Sequence, residues 1–245
     1  MRRYHLERQY ALSVKLMLYS QWEKFISDLK RGIPVRQAIE GLQISEEQKQ
    51  KVARIFEQAA GYGVNQAQAA LQDAVASVTV PNAPMPVLNV DWSLINEDAR
   101  TWARGYAYSL INGITDTTRR ILSQRVNDWI VSGKPLQELM RDKRLVQLFG
   151  PTRAKMIAVT EVTRAYAEAN QAVFQQTGVQ YRRWNTANDE LVCPICAPLN
   201  GVVVGINEPF PGGIALPPAH PNCRCWITPV VQEVLATEDE EKQWM

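Results

Sequence analysis

Five soft metal-ligand candidates stand in two short clusters, Cys193-Pro-Ile-Cys196 and His220-Pro-Asn-Cys223-Arg-Cys225, and the sequence holds no other cysteine. C-x2-C, a 23-residue insert and then H-x2-C-x-C is a spacing at which two tight turns can each offer a pair of donors to one tetrahedral Zn²⁺. Cys193, Cys196, His220 and Cys223 make the simplest set, because both pairs then share the same i, i+3 spacing. Cys225 is a fifth donor for four positions. If 223–225 are extended, Cys223 and Cys225 share a face, so either can complete the set while the other packs as a small apolar residue. Arg224 then points away, toward an acidic side chain or a partner. Reduced thiols without an ion and a pair of disulfides compete with the metal reading. The disulfides would have to cross between the clusters. The first ten residues lack the apolar core of a signal peptide, which points to a reducing cytoplasm where thiols favour metal.

Catalytic readings fare worse, because the chain has only two histidines, His5 and His220. An HNH-type nuclease also pairs cysteine knuckles with a histidine beside an asparagine. It needs a general-base histidine in addition to separate ligands for a catalytic divalent ion. With His220 on zinc, only His5 remains, and serine, cysteine or lysine nucleophile schemes have no histidine to activate them. A zinc-ribbon DNA-binding regulator is the other alternative. It requires a basic recognition helix beside the ribbon, whereas the residues after Cys225 turn acidic.

At 245 residues the chain is long enough for one large or two small domains, and its net charge of +2 rules out a global polyanion-binding strategy. No apolar stretch approaches the roughly 20 residues that cross a bilayer. Charge is unevenly spread. Residues 119–183 hold twelve Lys and Arg against five Asp and Glu, while 232–245 carry five acids against Lys242. Arg119, Arg120, Arg125, Arg141, Lys143 and Arg144 are therefore candidates for contact with double-stranded DNA, against the plainer reading of a solvated helix face.

The elements that must position these groups are mostly helical. Val14, Leu18, Trp22, Phe25 or Ile26, and Leu29 recur at three- and four-residue steps, which predicts a helix over about 6–29 that Gly32 and Pro34 end. Ser45-Glu-Glu-Gln48 is a capping-box pattern and starts a second helix, closed by Gly61 and Gly63, with a third over 65–77. Pro81, Pro84 and Pro86 exclude helix and mark a boundary or strap over 81–95. Trp102, Tyr106, Leu110, Ile114, Ile121, Val126 and Trp129 predict one or two long helices over about 96–131, broken at Ser132-Gly133. Lys134-Pro135 starts another, and Gly150-Pro151 a last one over about 152–176. On that last helix Glu161 and Arg164 share a face, and the pair is a candidate internal clamp against the following sheet. Strands are expected over 179–184, 202–204 and 225–230, with Asn200-Gly201 as a hairpin turn and a Gly- and Pro-rich loop over 209–221. Three short strands bury little apolar area, so a coordinated ion would supply what the core does not. Asp189, just before the first knuckle, can order that turn through backbone N–H groups.

Thr160-Glu161-Val-Thr-Arg164-Ala, Trp184-Asn-Thr-Ala-Asn-Asp189-Glu-Leu-Val-Cys193-Pro-Ile-Cys196, Leu199-Asn-Gly201 and Pro217-Pro-Ala-His220-Pro-Asn-Cys223-Arg-Cys225 together resemble the phage Mu F-like minor head proteins, also called phage head morphogenesis proteins. The resemblance covers roughly 100–231 and is specific in its second half, while the first 80 residues carry no motif of that kind. Taken with the elements above, the expected fold is α+β, with a mainly helical N-terminal and central region and a small C-terminal β-rich, zinc-stapled subdomain. With the elements read above, the expected segments are a helical domain at 1–80, a strap at 81–95, the helical part of the family domain at 96–178, its knuckle part at 179–231 and an acidic tail at 232–245. The implied role is non-enzymatic. It is a minor component of a tailed-phage head, made in the host cytoplasm and placed in the virion at the portal vertex. Such a component assists head assembly and DNA packaging or ejection, with the portal protein and other head proteins as partners. Some members carry toxin or transferase domains beyond this one. About twenty residues follow Cys225 here, so no such domain is expected.

Overall fold

In a computed structural model, residues 2–77, 91–133, 135–187, 189 and 191–231 are described. The elements in chain order are α1 (Arg2–Lys30), α2 (Val35–Glu40), α3 (Glu46–Ser77), α4 (Trp92–Ser132), α5 (Leu136–Met140), α6 (Lys143–Leu148), α7 (Pro151–Gln176), β1 (Tyr181–Asn185), β2 (Val203–Gly205) and β3 (Trp226–Val230). The architecture is α+β, mainly helical with a small antiparallel sheet toward the C-terminus. Two compact units are formed, one from Met1–Phe56 with Ala103–Ala158 and one from Glu57–Trp102 with Val159–Met245.

In the first unit the stripe read from the sequence is the buried face of α1: Val14, Leu18 and Phe25 have no exposed surface, and Tyr10 meets Phe56 of α3 edge-on at 5.0 Å. The helix ends as its glycine dictates. Gly32 takes φ +78, its N–H reaches Leu29 O, and Ile33 N–H reaches Asp28 O, the doubled bonding of a Schellman cap. The following Pro34 then caps α2, a short helix whose six residues carry too little periodicity to be read in advance. Only half of the Ser45 capping box forms. Ser45 Oγ accepts the Gln48 N–H at 3.2 Å, but the Gln48 side chain donates to Ser20 Oγ at 3.3 Å, because a partner on α1 lies within reach.

Two expectations are corrected. The helix that begins at Glu46 does not stop at Gly61 or Gly63 but runs unbroken to Ser77, so no separate helix starts at 65. Gly63 marks a close approach of two helices. A Cβ there would lie 2.8 Å from Ala169 Cβ and 3.0 Å from Tyr166 O of α7, inside the second unit. The segment after Pro135 is likewise two short helices rather than one. Pro135 is extended and caps α5, which ends after five residues, and Asp142 restarts the chain by accepting the Arg144 and Leu145 N–H groups at 2.8 and 3.2 Å. α4, by contrast, is a single 41-residue helix capped by Asp91 and closed at Gly133, whose φ is +63. Pro81, Pro84 and Pro86, Lys134 and the acidic tail lie outside the described residues.

In the second unit α7 closes with another Schellman cap at Gly178 and leads into β1, the central strand of the order β2-β1-β3. β1 alternates, burying Arg182 and Trp184 and leaving Tyr181, Arg183 and Asn185 partly exposed. Asn200-Gly201 does turn the chain into β2, with Gly201 at φ +81 and its N–H bonded to Trp184 O at 2.9 Å. The connection it ends also carries the first cysteine pair.

Candidate metal centre

The first pair sits on a turn built by Pro194. Cys196 N–H and Ala197 N–H both reach Cys193 O, at 3.1 and 2.9 Å, and the chain continues into a 3-10 turn over Ala197–Leu199. The second turn has a different sequence logic. Cys223 N–H closes onto His220 O at 3.2 Å, with Pro221 at the position that wants its fixed φ and Asn222 at φ +63, a left-handed value that asparagine tolerates better than most residues. His-Pro-Asn-Cys thus encodes its own bend.

The two turns bring the five donors together. His220 Nε2 lies 2.9 Å from Cys193 Sγ and 3.2 Å from Cys196 Sγ, and Cys196 Sγ lies 3.8 Å from Cys223 Sγ. Two triads result, Cys193 with Cys196 and His220, and Cys196 with Cys223 and Cys225, the donor atoms of each lying within 4.8 Å of one another. Cys196 belongs to both. All four cysteines are free thiols, so the disulfide alternative is not formed. The donors line a cavity of about 30 Å³, room for a single ion or water.

Two details fit a metal. His220 Nδ1 lies 2.8 Å from Pro221 O, and a carbonyl can only accept, so Nδ1 carries the proton and Nε2 presents its lone pair to the thiols. The sulfurs also constrain one another electrically. A hydrogen bond from Cys225 pulls the Cys223 thiol down to about 5. Burial, followed by the Cys223 charge, pushes Cys196 up to about 12, and the bond to Cys223 together with burial pushes Cys225 up as well. Three adjacent thiols cannot all ionise unaided, and a dication is the partner that would let them.

Around the donors, Arg224 turns outward from the cluster and grips Asp189 with two bonds of 2.6 and 2.8 Å, which holds the Asp189 carboxyl below its usual range. Asp189 Oδ1 also accepts the Leu191 N–H at 3.1 Å. α7 supplies two threonines: Thr160 Oγ1 accepts the Asn222 N–H at 2.9 Å, and Thr163 Oγ1 lies 2.8 Å from both Cys223 O and Val159 O, its one proton shared between them. The sequence reading quoted both threonines within a motif but gave them no task. Their i, i+3 spacing was the available signal. Glu161 and Arg164, interleaved with them, are paired at 3.1 Å, the glutamate buried and the arginine about one-third exposed.

The basic candidates fall in the first unit. Arg120, Arg141, Lys143 and Arg144 are exposed. Arg119 is half-buried, donating to Leu42 O and Glu40 O and pairing with Asp116, and Arg125 pairs with Asp128. His5 lies on α1 against Gln9 and takes no part in the thiol cluster. Among the described residues no helix is long and apolar enough to cross a membrane.

Comparison with known proteins agrees with the motifs. Residues 120–228, from within α4 to β3, match the family model described as "Phage Mu protein F like protein". The chain is also similar to the uncharacterised protein YqbB of Bacillus subtilis (strain 168), with 24% identity over 170 residues. That alignment takes in 63% of this chain and spans little more than half of YqbB, 56% of its length. No solved structure matches.

Proposed function

We propose that the protein is a minor structural component of a tailed-phage head, built into the particle at the portal vertex and acting in head morphogenesis and DNA packaging or ejection, because residues 120–228 match the model of the phage Mu F-like family. The family match carries this reading. The metal centre supports it, because five donors around one small cavity can fill all four positions of a tetrahedral ion and leave none open for substrate. Cys193, Cys196, His220 and Cys223 would hold a structural Zn²⁺, with Cys225 beside them. The zinc ties two turns together and does no chemistry, and Glu161 with Arg164 braces the helix beneath. Leu12, Leu16 and Tyr19, at i, i+4 and i+7 of α1, are more than half exposed, as suits a chain whose helical part is covered by other head proteins. On this reading the purified chain co-sediments with rings of the portal protein of its own phage. A chain that stays monomeric and separate from the ring counts decisively against it.

DNA contact is a second part of the reading, favoured by Arg141, Lys143 and Arg144, which lie exposed within four positions of one another around the α5–α6 junction. Binding to duplex DNA should weaken steeply with salt, and replacing all three by alanine should lower the log–log salt slope by about 2 to 3. Binding that ignores salt, or a slope unchanged in the triple variant, removes DNA from the role and leaves head assembly standing.

A further inference from the structure

We propose that Thr160 and Thr163 are positioning residues for the metal, fixing the second knuckle from α7 so that the affinity of the site is set partly by that helix. The inference rests on the metal reading above and concerns which of the chain's own groups shape the site. The two hydroxyls bracket one short stretch of backbone. Thr160 holds the amide of Asn222, and Thr163 shares its one proton between the carbonyl of Cys223 and that of Val159 on its own helix, so a single hydroxyl links the knuckle to α7. Between those two atoms lie the left-handed residue at φ +63 and the Cα from which the Cys223 sulfur projects. With both ends of this stretch tied down, and with Cys223 N–H tied to His220 O, the direction of the Cys223 side chain relative to the His220 ring is determined before any ion arrives. Asn222 leaves its left-handed region at little cost when nothing restrains it, so the restraint has a consequence for binding.

Burial makes these bonds consequential. Thr163 is 1% exposed and Thr160 9%, so neither hydroxyl exchanges its bond freely with water. Loss of Thr163 Oγ1 leaves the buried Cys223 carbonyl without that donor, and loss of Thr160 Oγ1 leaves the Asn222 amide without its acceptor. Groups that orient a ligand from behind commonly change metal affinity about 10- to 100-fold when removed. By linkage the effect is reciprocal: an ion that favours the knuckle in this shape also favours α7 where the threonines hold it. Glu161 and Arg164 occupy the neighbouring positions and pair with each other, so a change at the threonines is separable from a change at the ion pair.

The test uses the full chain with Zn²⁺ in competition against a chromogenic chelator, Co²⁺ as a spectroscopic probe of ligand geometry, and urea unfolding of the metal-free protein. T163V and T160V should each hold zinc about 10- to 100-fold more weakly and alter the Co²⁺ absorption envelope, while T163S and T160S, which keep the hydroxyl, should match the parent. Should T163V fail to fold, T160V carries the comparison, since Thr160 is the less deeply buried of the two. A valine variant that folds, loses stability in urea, yet binds zinc like the parent and gives the parent Co²⁺ spectrum overturns the inference and reduces the threonines to packing. A parent chain that takes up no zinc overturns the metal reading itself, an outcome visible before any variant is made.

Discussion

Replacing Cys196 by alanine is expected to abolish one-to-one zinc binding and to unfold the knuckle lobe over 179–231, while most of the helical signal persists. Cys196 is the donor shared by both triads and touches His220 and Cys223 directly, while Cys225, the spare sulfur, shares a triad with neither Cys193 nor His220 and so is badly placed to replace it. Structural zinc in small modules contributes on the order of 10 kcal/mol at neutral pH. A whole domain is commonly stable by only about 5–15 kcal/mol. The lobe has little else to draw on. Its sheet has strands of five, three and five residues, and beyond the cysteines its most deeply buried large apolar side chains are Trp184, Phe210, Ile227 and Leu199. Cys225→Ala is the internal control. With Cys223 as the fourth ligand, that variant keeps its zinc, with affinity reduced only by loss of the hydrogen bond to Cys223. Metal content by elemental analysis and hydrogen exchange of the β1 and β3 amides decide the matter, and chelation of the parent should reproduce the Cys196 variant. A Cys196→Ala protein with stoichiometric zinc, or with protected strand amides in its absence, ends the stapled-lobe account.

How much of this was legible in the sequence varies with the range of the interaction. α1 and α4 follow from the periodicity of their apolar stripes and α7 from Gly150-Pro151, and their ends follow from Gly32, Gly133 and Gly178, whose conformations are local properties. The failures are tertiary. Gly63 reads as a stop because a glycine inside a helix usually weakens it. Here the missing side chain is what lets α7 approach, and nothing near Gly63 in sequence announces Ala169. Gln48 reads as the far half of a capping box, yet its side chain finds Ser20, 28 residues away. α5 and α6 divide because Asp142 offers a second cap within a segment too short for period to speak. At the site, the donors were legible from residue type alone, while their supports were not. Asp189 and Arg224 were each assigned a direction separately, and only the folded chain shows that they face each other. Arg182 is the sharpest case. Counted by sequence it belongs to a basic stretch facing solvent, whereas the strand alternation buries it.

That burial makes Arg182 the second position of large expected effect. Arg182→Met should destabilise the second unit by roughly 2–5 kcal/mol, the cost of leaving buried acceptors without donors. The guanidinium is 3% exposed and donates to Gln171 Oε1 at 2.5 Å and to Glu208 O at 2.7 Å, while its charged carbon lies 5.1 Å over the Phe210 ring. Methionine fills much of the space but offers no N–H, so α7 loses the tie that runs through Arg182 to Glu208 O and keeps only those of Gln171 to Ile206 O and Gln175 to Asn207 among the described contacts with this loop. The deficit should also depend on pH. Burial pushes the Glu168 carboxyl above its usual range, and the charges of Arg164 and then Arg182 pull it back. A carboxyl whose folded value is raised favours the fold when protonated. That contribution is full below the unfolded value, near 4, and is lost as pH rises through the folded one. Without Arg182 the folded value rises further, so the difference between variant and parent should be larger at neutral pH than toward pH 4. Taking this difference at each pH cancels the protonation of the metal donors, which acts on both proteins alike. Urea midpoints across that range provide the check: a variant within about 0.5 kcal/mol of the parent at every pH would return Arg182 to the surface role its neighbours suggest.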